Sequence, residues 1–175
     1  MMDIAHTCCF TGHRPEALFA HGEDETGIFL AVSAAVGDAV CDGYTDFLCG
    51  GSRGGDMIFA DAVIAAREAH PSVKLHCILP CRNQSEKWSA DDRSRYADML
   101  DAADSVVCLS ECYHTGCMQM RNRYMVERSS LLIAAYYRGQ SGGTGYTVKY
   151  AKRRGLRTVS LLTAPADDSN QLSLL

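Results

Sequence analysis

Three short stretches of this chain collect the side chains and glycines that could hold an anion. The first is Phe10-Thr11-Gly12-His13-Arg14-Pro15, which follows an apolar run. Gly12 lets the backbone turn sharply or approach a ligand, Thr11 offers a hydroxyl, and His13 and Arg14 offer donors to an anion. The second is Gly50-Gly51-Ser52-Arg53-Gly54-Gly55-Asp56, with four glycines in six residues between an apolar run and a helical pattern. Such a turn leaves amide groups able to converge on a phosphate at a helix start. Asp56 suits a sugar hydroxyl or a helix cap, because a carboxylate would repel phosphate. The third is Ser141-Gly142-Gly143-Thr144-Gly145-Tyr146-Thr147, again opening a helical pattern and adding two threonine hydroxyls. Just upstream, Arg121-Asn122-Arg123 carries two cations into the same neighbourhood.

The turn at Gly50 is neither a P-loop nor a dinucleotide fingerprint. The turn at Gly50 is not followed by Gly-Lys-Ser/Thr, and the first turn lacks Gly-x-Gly-x-x-Gly. Two glycine-rich turns in one small domain are nevertheless much stronger evidence than one. Cys112, His114 and Cys117 form the one suggestive metal-ligand cluster, but no second pair follows at zinc-finger spacing, so the expectation is a thiol-bearing loop without metal.

These stretches must be positioned by a regular scaffold, and six apolar runs supply it: Cys8–Thr11, Asp46–Cys49, Lys74–Leu79, Ser105–Leu109, Leu131–Tyr137 and Thr158–Leu162. They are rich in Val, Ile, Leu and Cys and do not alternate with polar residues, as expected for strands buried on both faces of a parallel sheet. Between them, Ile28, Val32, Val36 and Val40 recur every four residues and predict a helix. Phe59, Val63 and Ala66 predict a second. Tyr96, Met99, Leu100 and Ala103 predict a third, opening at Ser89 with Asp91 and Asp92 in its first turn. Two more are expected over about Met118–Glu127 and Tyr146–Arg154. This alternation predicts a Rossmann-like three-layer α/β/α sandwich with a mainly parallel sheet in the order 3-2-1-4-5-6. In such sheets ligands bind beyond the carboxyl ends of the strands, where all three stretches fall.

The chain has 175 residues, enough for one well-buried core, and carries a formal net charge of −4. Residues 1–162 read as a single domain and 163–175 as a polar, loose tail. The charge gives no global attraction for nucleic acid or an anionic membrane, so an anion must be held locally. No apolar run reaches the roughly 18 residues of a spanning helix. Nine cysteines, an odd number, with no leader-like pattern at Met1–His6, point to free thiols in a reducing, cytoplasmic setting.

Cys9-Phe10-Thr11-Gly12-His13-Arg14-Pro15, Gly50-Gly51 with Gly54 and Asp56, Arg121-Asn122-Arg123-Tyr124-Met125 and Gly142-Gly143-Thr144 together resemble the YpsA-like branch of the SLOG superfamily. Leu79-Pro80 through Gln84, Trp88 and Tyr96 look like the same branch, so the resemblance spans about residues 6–162. The superfamily also holds the lonely-guy phosphoribohydrolases and the DNA-processing protein DprA. The resemblance implies a Rossmann-like fold and a nucleotide-type ligand. Against the lonely-guy pattern, Arg121 and Met125 match, as do Gly142, Gly143 and Gly145. Ser141, Tyr146 and Lys149 stand where that pattern has proline, threonine and its acid/base glutamate. The resemblance implies that the phosphate cradle is retained while the hydrolytic carboxylate is missing from its usual place.

The leading expectation is therefore a binding or sensor protein for a nucleotide or an ADP-ribose-like derivative, requiring no cofactor. Its expected ligand contacts are Thr11, Gly12, His13, Arg14, Gly50, Gly51, Ser52, Arg53, Gly54, Asp56, Arg121, Asn122, Gly142, Gly143 and Thr144. The alternative is a nucleoside-phosphate N-glycosidase, in which Asp56 and Arg121 are the candidate catalytic groups although no catalytic constellation is complete. Single-stranded DNA binding of the DprA kind is a second alternative, disfavoured by the acidic balance and the lack of a basic, aromatic-laced stripe. No membrane partner is expected, and homo-oligomerisation is left open.

Overall fold

The computed structural model describes residues 2–137 and 142–162. Ser141 and the tail expected from residue 163 lie outside the described residues. The strands are β1 (Thr7–Gly12), β2 (Asp46–Cys49), β3 (Lys74–Leu79), β4 (Ser105–Cys108), β5 (Leu131–Ala135) and β6 (Arg157–Ser160). The helices are α1 (Pro15–Leu18), α2 (Glu25–Cys41), α3 (Gly55–Ala69), α4 (Ala90–Ala102), α5 (Cys117–Val126) and α6 (Gly143–Arg153). All five neighbouring strand pairs run parallel.

Because strand side chains alternate between faces, each run feeds two cores. Cys8, Phe10, Phe47, Cys49, Leu75, Cys77, Ile133 and Ala135 pack with α2, α3 and α4. Cys9, Leu48, Ile78, Leu132 and Ala134 pack with Met125 and Val126 of α5 and Val148 and Ala151 of α6. That two-sided burial is why the runs carry no polar alternation. Phe10 stacks on Phe59 with ring centroids 4.5 Å apart, fastening the end of β1 to α3. The helix signals hold locally as well: Ser89 accepts the Asp92 amide at 3.1 Å as the cap of α4, and Ile28, Val32 and Val36 face the core from α2.

The sheet order is β4-β3-β2-β1-β5-β6. The sequence expectation placed the fourth strand between the first and the fifth; it lies instead at the far edge, beside β3. Strand length and burial match this order. Ser105 and Val106 of β4 are exposed and its last two residues half-buried, while all five residues of β5 are buried. The longer, fully apolar β5 takes the flank of β1, pairing from Cys8 with Leu131 to Gly12 with Ala135. The chain thus reverses its direction across the sheet between β1 and β5. Loops leaving those two strands diverge at their carboxyl ends, where a crevice opens.

Candidate functional site

A cleft of about 290 Å³ occupies that crevice. The end of β1 and the following turn contribute Thr11, Gly12, His13 and Arg14; the turn after β2 contributes Ser52 and Asp56. Helix α5 contributes Arg121 and Asn122, and the start of α6 contributes Gly142, Gly143 and Thr144. The two glycine turns therefore open on one cleft. Phe10, Ala17, Met118 and Met125 also line it and were not among the expected contacts. Met118, Arg121, Asn122 and Met125 stand at i, i+3, i+4 and i+7, and that helical spacing was the signal for the missed methionines.

Gly50, Gly51, Arg53 and Gly54 do not line the cleft; they shape its walls. A side chain at Gly50 would place its Cβ 1.4 Å from Arg121 Nη1 and 2.8 Å from Asp56 Oδ2, so only glycine lets these two charges meet. Gly54 has φ +83° and a Cβ there would lie 2.8 Å from the His13 carbonyl oxygen. That carbonyl accepts the Gly55 amide at 3.1 Å, locking the turn after β1 to the start of α3. Arg53 turns away to Glu16 at 3.1 Å and Asp92 at 3.5 Å. Gly51 donates to Cys49 Sγ at 3.4 Å and accepts from Gln84 Nε2 at 2.9 Å.

The two glycine turns differ in what they leave open. Around α3 the amides of Gly51, Ser52 and Gly55 already have acceptors: Cys49 Sγ, Asp56 Oδ2 at 3.0 Å and the His13 carbonyl. Helix α6 has no side-chain cap, and among the described residues the amides of Gly143, Thr144 and Gly145 donate to nothing. Its polar side chains are spent on placing the turn. Thr144 donates to the Gly12 carbonyl at 3.0 Å, and Thr147 to the Gly143 carbonyl at 2.8 Å. Asn122 donates to Thr147 Oγ1 at 2.8 Å and accepts from Arg121 Nε at 2.7 Å. This chain ties the arginine to the α6 turn.

Arg121 and Asp56 form the charged centre of the site. Their side chains are only 6% and 7% exposed, with Nη1 3.6 Å from Oδ2. Arg121 Nη2 also donates to Ser52 Oγ at 3.3 Å, whereas Nη1 is buried with no hydrogen-bond partner among the described residues. Burial pushes the Asp56 carboxyl above the ordinary carboxylate value, with Arg121, the Ser52 amide and Arg14 pulling it back. Its Oδ1 accepts no hydrogen bond among the described residues. Burial likewise lowers the pKa of His13, whose Nε2 accepts the Tyr137 amide at 3.2 Å. An accepting Nε2 fixes the neutral tautomer with its proton on Nδ1. The surroundings of α5 and α6 are basic: from Cys112 to Leu162 the chain has nine arginines and lysines and one carboxylate, Glu127.

Lys149, at the place of the lonely-guy glutamate, lies with Tyr146, Lys152 and Arg153 around a separate hollow and does not line the cleft. No carboxylate on α6 reaches the cleft, because the helix has none. The expected thiol loop is dispersed: Cys112 is exposed, Cys117 buried, and His114 bonds Ser110 at 3.1 Å. Among the described residues no three metal-ligating side chains gather, and no helix is long and apolar enough to cross a membrane.

A UPF0398 protein of Halalkalibacterium halodurans is 28% identical over 149 residues, covering 82% of this chain and 79% of the relative. A UPF0398 protein of Bacillus cereus is 27% identical over 150 residues, covering 83% and 82%. The SPbeta prophage-derived protein YoqJ of Bacillus subtilis is 30% identical over 119 residues, covering 61% and 69%. The sequence model described as the YspA SLOG family matches residues 8–163, so the chain belongs to that family.

Proposed function

We propose that this protein is a binding or sensing module for a nucleotide or a nucleotide derivative of the ADP-ribose kind, held by its phosphate. The observation that carries the reading is the uncapped start of α6, whose first amides have no acceptor among the described residues where Gly142, Gly143 and Thr144 line the cleft. Aligned amides and the helix dipole favour a phosphate there. The basic surroundings of α5 and α6 supply local attraction that the net charge of −4 conceals.

Arg121 serves this site in two ways. It neutralises Asp56, so that a buried carboxylate does not repel the anion, and it extends the donor surface through Ser52 and Asn122. Asp56 Oδ1 is suited to a ribose hydroxyl, an uncharged donor. The surplus of anion-holding groups over acid/base groups favours binding over hydrolysis.

Calorimetric titration with adenosine, AMP and ADP-ribose tests the reading, with chromatography of the mixtures for free adenine. The expected result is binding of both phosphorylated compounds, much weaker binding of adenosine, and no adenine. Equal binding of adenosine and AMP would overturn the phosphate assignment. Adenine release abolished by Asp56→Asn would make the protein an N-glycosidase.

A further inference from the structure

A second hollow, of about 510 Å³, adjoins the cleft, and Met118 forms a wall of both. Trp88, at the foot of α4, and Tyr113, in the turn between β4 and α5, line it together with Gln84. Trp88 is half-buried and meets Tyr96 edge-on, with centroids 5.2 Å apart and planes at 74°, which fixes the indole. Tyr113 is 62% exposed, and its backbone is held by Asn83 Oδ1 at 2.9 Å. Gln84 joins the two hollows: its Nε2 donates to the Gly51 carbonyl at 2.9 Å, in the same turn as Ser52 and Asp56. Its Oε1 is buried with no hydrogen-bond partner among the described residues. Such an acceptor has a partner to gain from a ligand amino group after a small side-chain rotation.

The charges of this hollow, Lys87 and Glu86, oppose each other, so it offers no second anion site. Its aromatic rings and unused amide oxygen fit a flat, neutral heterocycle with an exocyclic donor. We propose that the hollow receives the nucleobase of the ligand whose phosphate lies in the cleft, so that the ligand class is a nucleotide with its base intact and not a sugar phosphate. The inference rests on the phosphate reading of the cleft.

Trp88 is the sole tryptophan of the chain, so its emission reports on this hollow. Ribose 5-phosphate and AMP are titrated in parallel by calorimetry and by fluorescence. Both are expected to bind, AMP about ten-fold more tightly, as one stacked base would give, and only AMP quenches Trp88. Trp88→Leu should bring AMP down to the affinity of ribose 5-phosphate. Tyr113→Ala, an exposed change that leaves the fold intact, should remove part of the difference. Equal affinities with no quenching by AMP would overturn the base site while leaving the phosphate site standing. Failure of both compounds to bind would overturn the cleft reading and this inference with it.

Discussion

Replacing Arg121 by Met should cost stability, as should replacing Asp56 by Asn, and the cost of the first should depend on pH. Arg121→Met keeps the volume but leaves the Asp56 carboxylate, 7% exposed, without its counter-charge. Breaking a buried pair from one side typically costs about 3–5 kcal/mol, because the survivor is an uncompensated buried charge. In a chain of this length that corresponds to roughly 6–20 °C in Tm. Asp56→Asn breaks the same pair from the other side: its amide oxygen can still accept from Ser52, but the Arg121 guanidinium, 6% exposed, is left without its counter-charge. Its cost should be of the same order, about 3–5 kcal/mol. The pH dependence follows from the raised pKa of Asp56. A carboxyl whose folded pKa lies above its unfolded value contributes stability that is fully present below the unfolded value and lost as pH rises through the folded one. Losing Arg121 raises that folded value further. The deficit of Arg121→Met should therefore be small near the ordinary carboxylate value of 3.8 and large at neutral pH. Urea unfolding followed by Trp88 emission at pH 5 and pH 8 measures it. A deficit that stays constant, or grows toward acid, would refute the buried-pair account.

Gly50→Ala should cost about 3 kcal/mol, because the new methyl meets Arg121 Nη1 at 1.4 Å and displaces the guanidinium from Asp56. The φ of Gly50 is not positive, so a thermal melt reads this steric effect without backbone strain. Tyr137→Phe removes a buried hydroxyl whose single proton is shared between Glu23 and the Leu18 carbonyl, with an expected loss of about 1–2 kcal/mol near neutral pH. That hydroxyl holds Glu23 below the usual carboxylate value, so the difference should shrink as pH falls through the folded value of Glu23, which urea unfolding at several pH values would show. Of the nine cysteines, Cys41 and Cys112 are exposed and should react quickly with a thiol reagent in the native state. Cys9 and Cys77, buried with their pKa pushed up to about 12, should react only on unfolding.

Much of the scaffold was legible because double burial leaves a plain trace: apolar runs such as Leu131–Ala135 and four-residue spacings such as Ile28, Val32 and Val36. The position of β4 was not, because Ser105–Cys108 is as apolar in sequence as a central strand and differs only in what covers it. The convergence of the turns on one cleft could be anticipated from their place after strands. Their unequal roles could not. Four glycines after β2 suggested open amides, yet Asp56 and the His13 carbonyl take them up, and Gly50 serves to admit Arg121. Likewise the pairing of Arg121 with Asp56 joins residues 65 positions apart, and no local pattern announces it.

The most direct test of the phosphate site is to put a carboxylate where the phosphate would lie. Gly143 opens α6, its φ is not positive, and a Cβ there meets nothing within 4 Å. An acidic side chain in a first helical turn is neutral or stabilising by up to about 1 kcal/mol, so Gly143→Asp should fold as the parent does. Calorimetric titration of AMP into both proteins, with their melting temperatures measured alongside, isolates the ligand effect. The account predicts an unchanged or slightly higher Tm and at least a ten-fold loss of AMP affinity. AMP binding to the folded Gly143→Asp protein with the parent's affinity would contradict it.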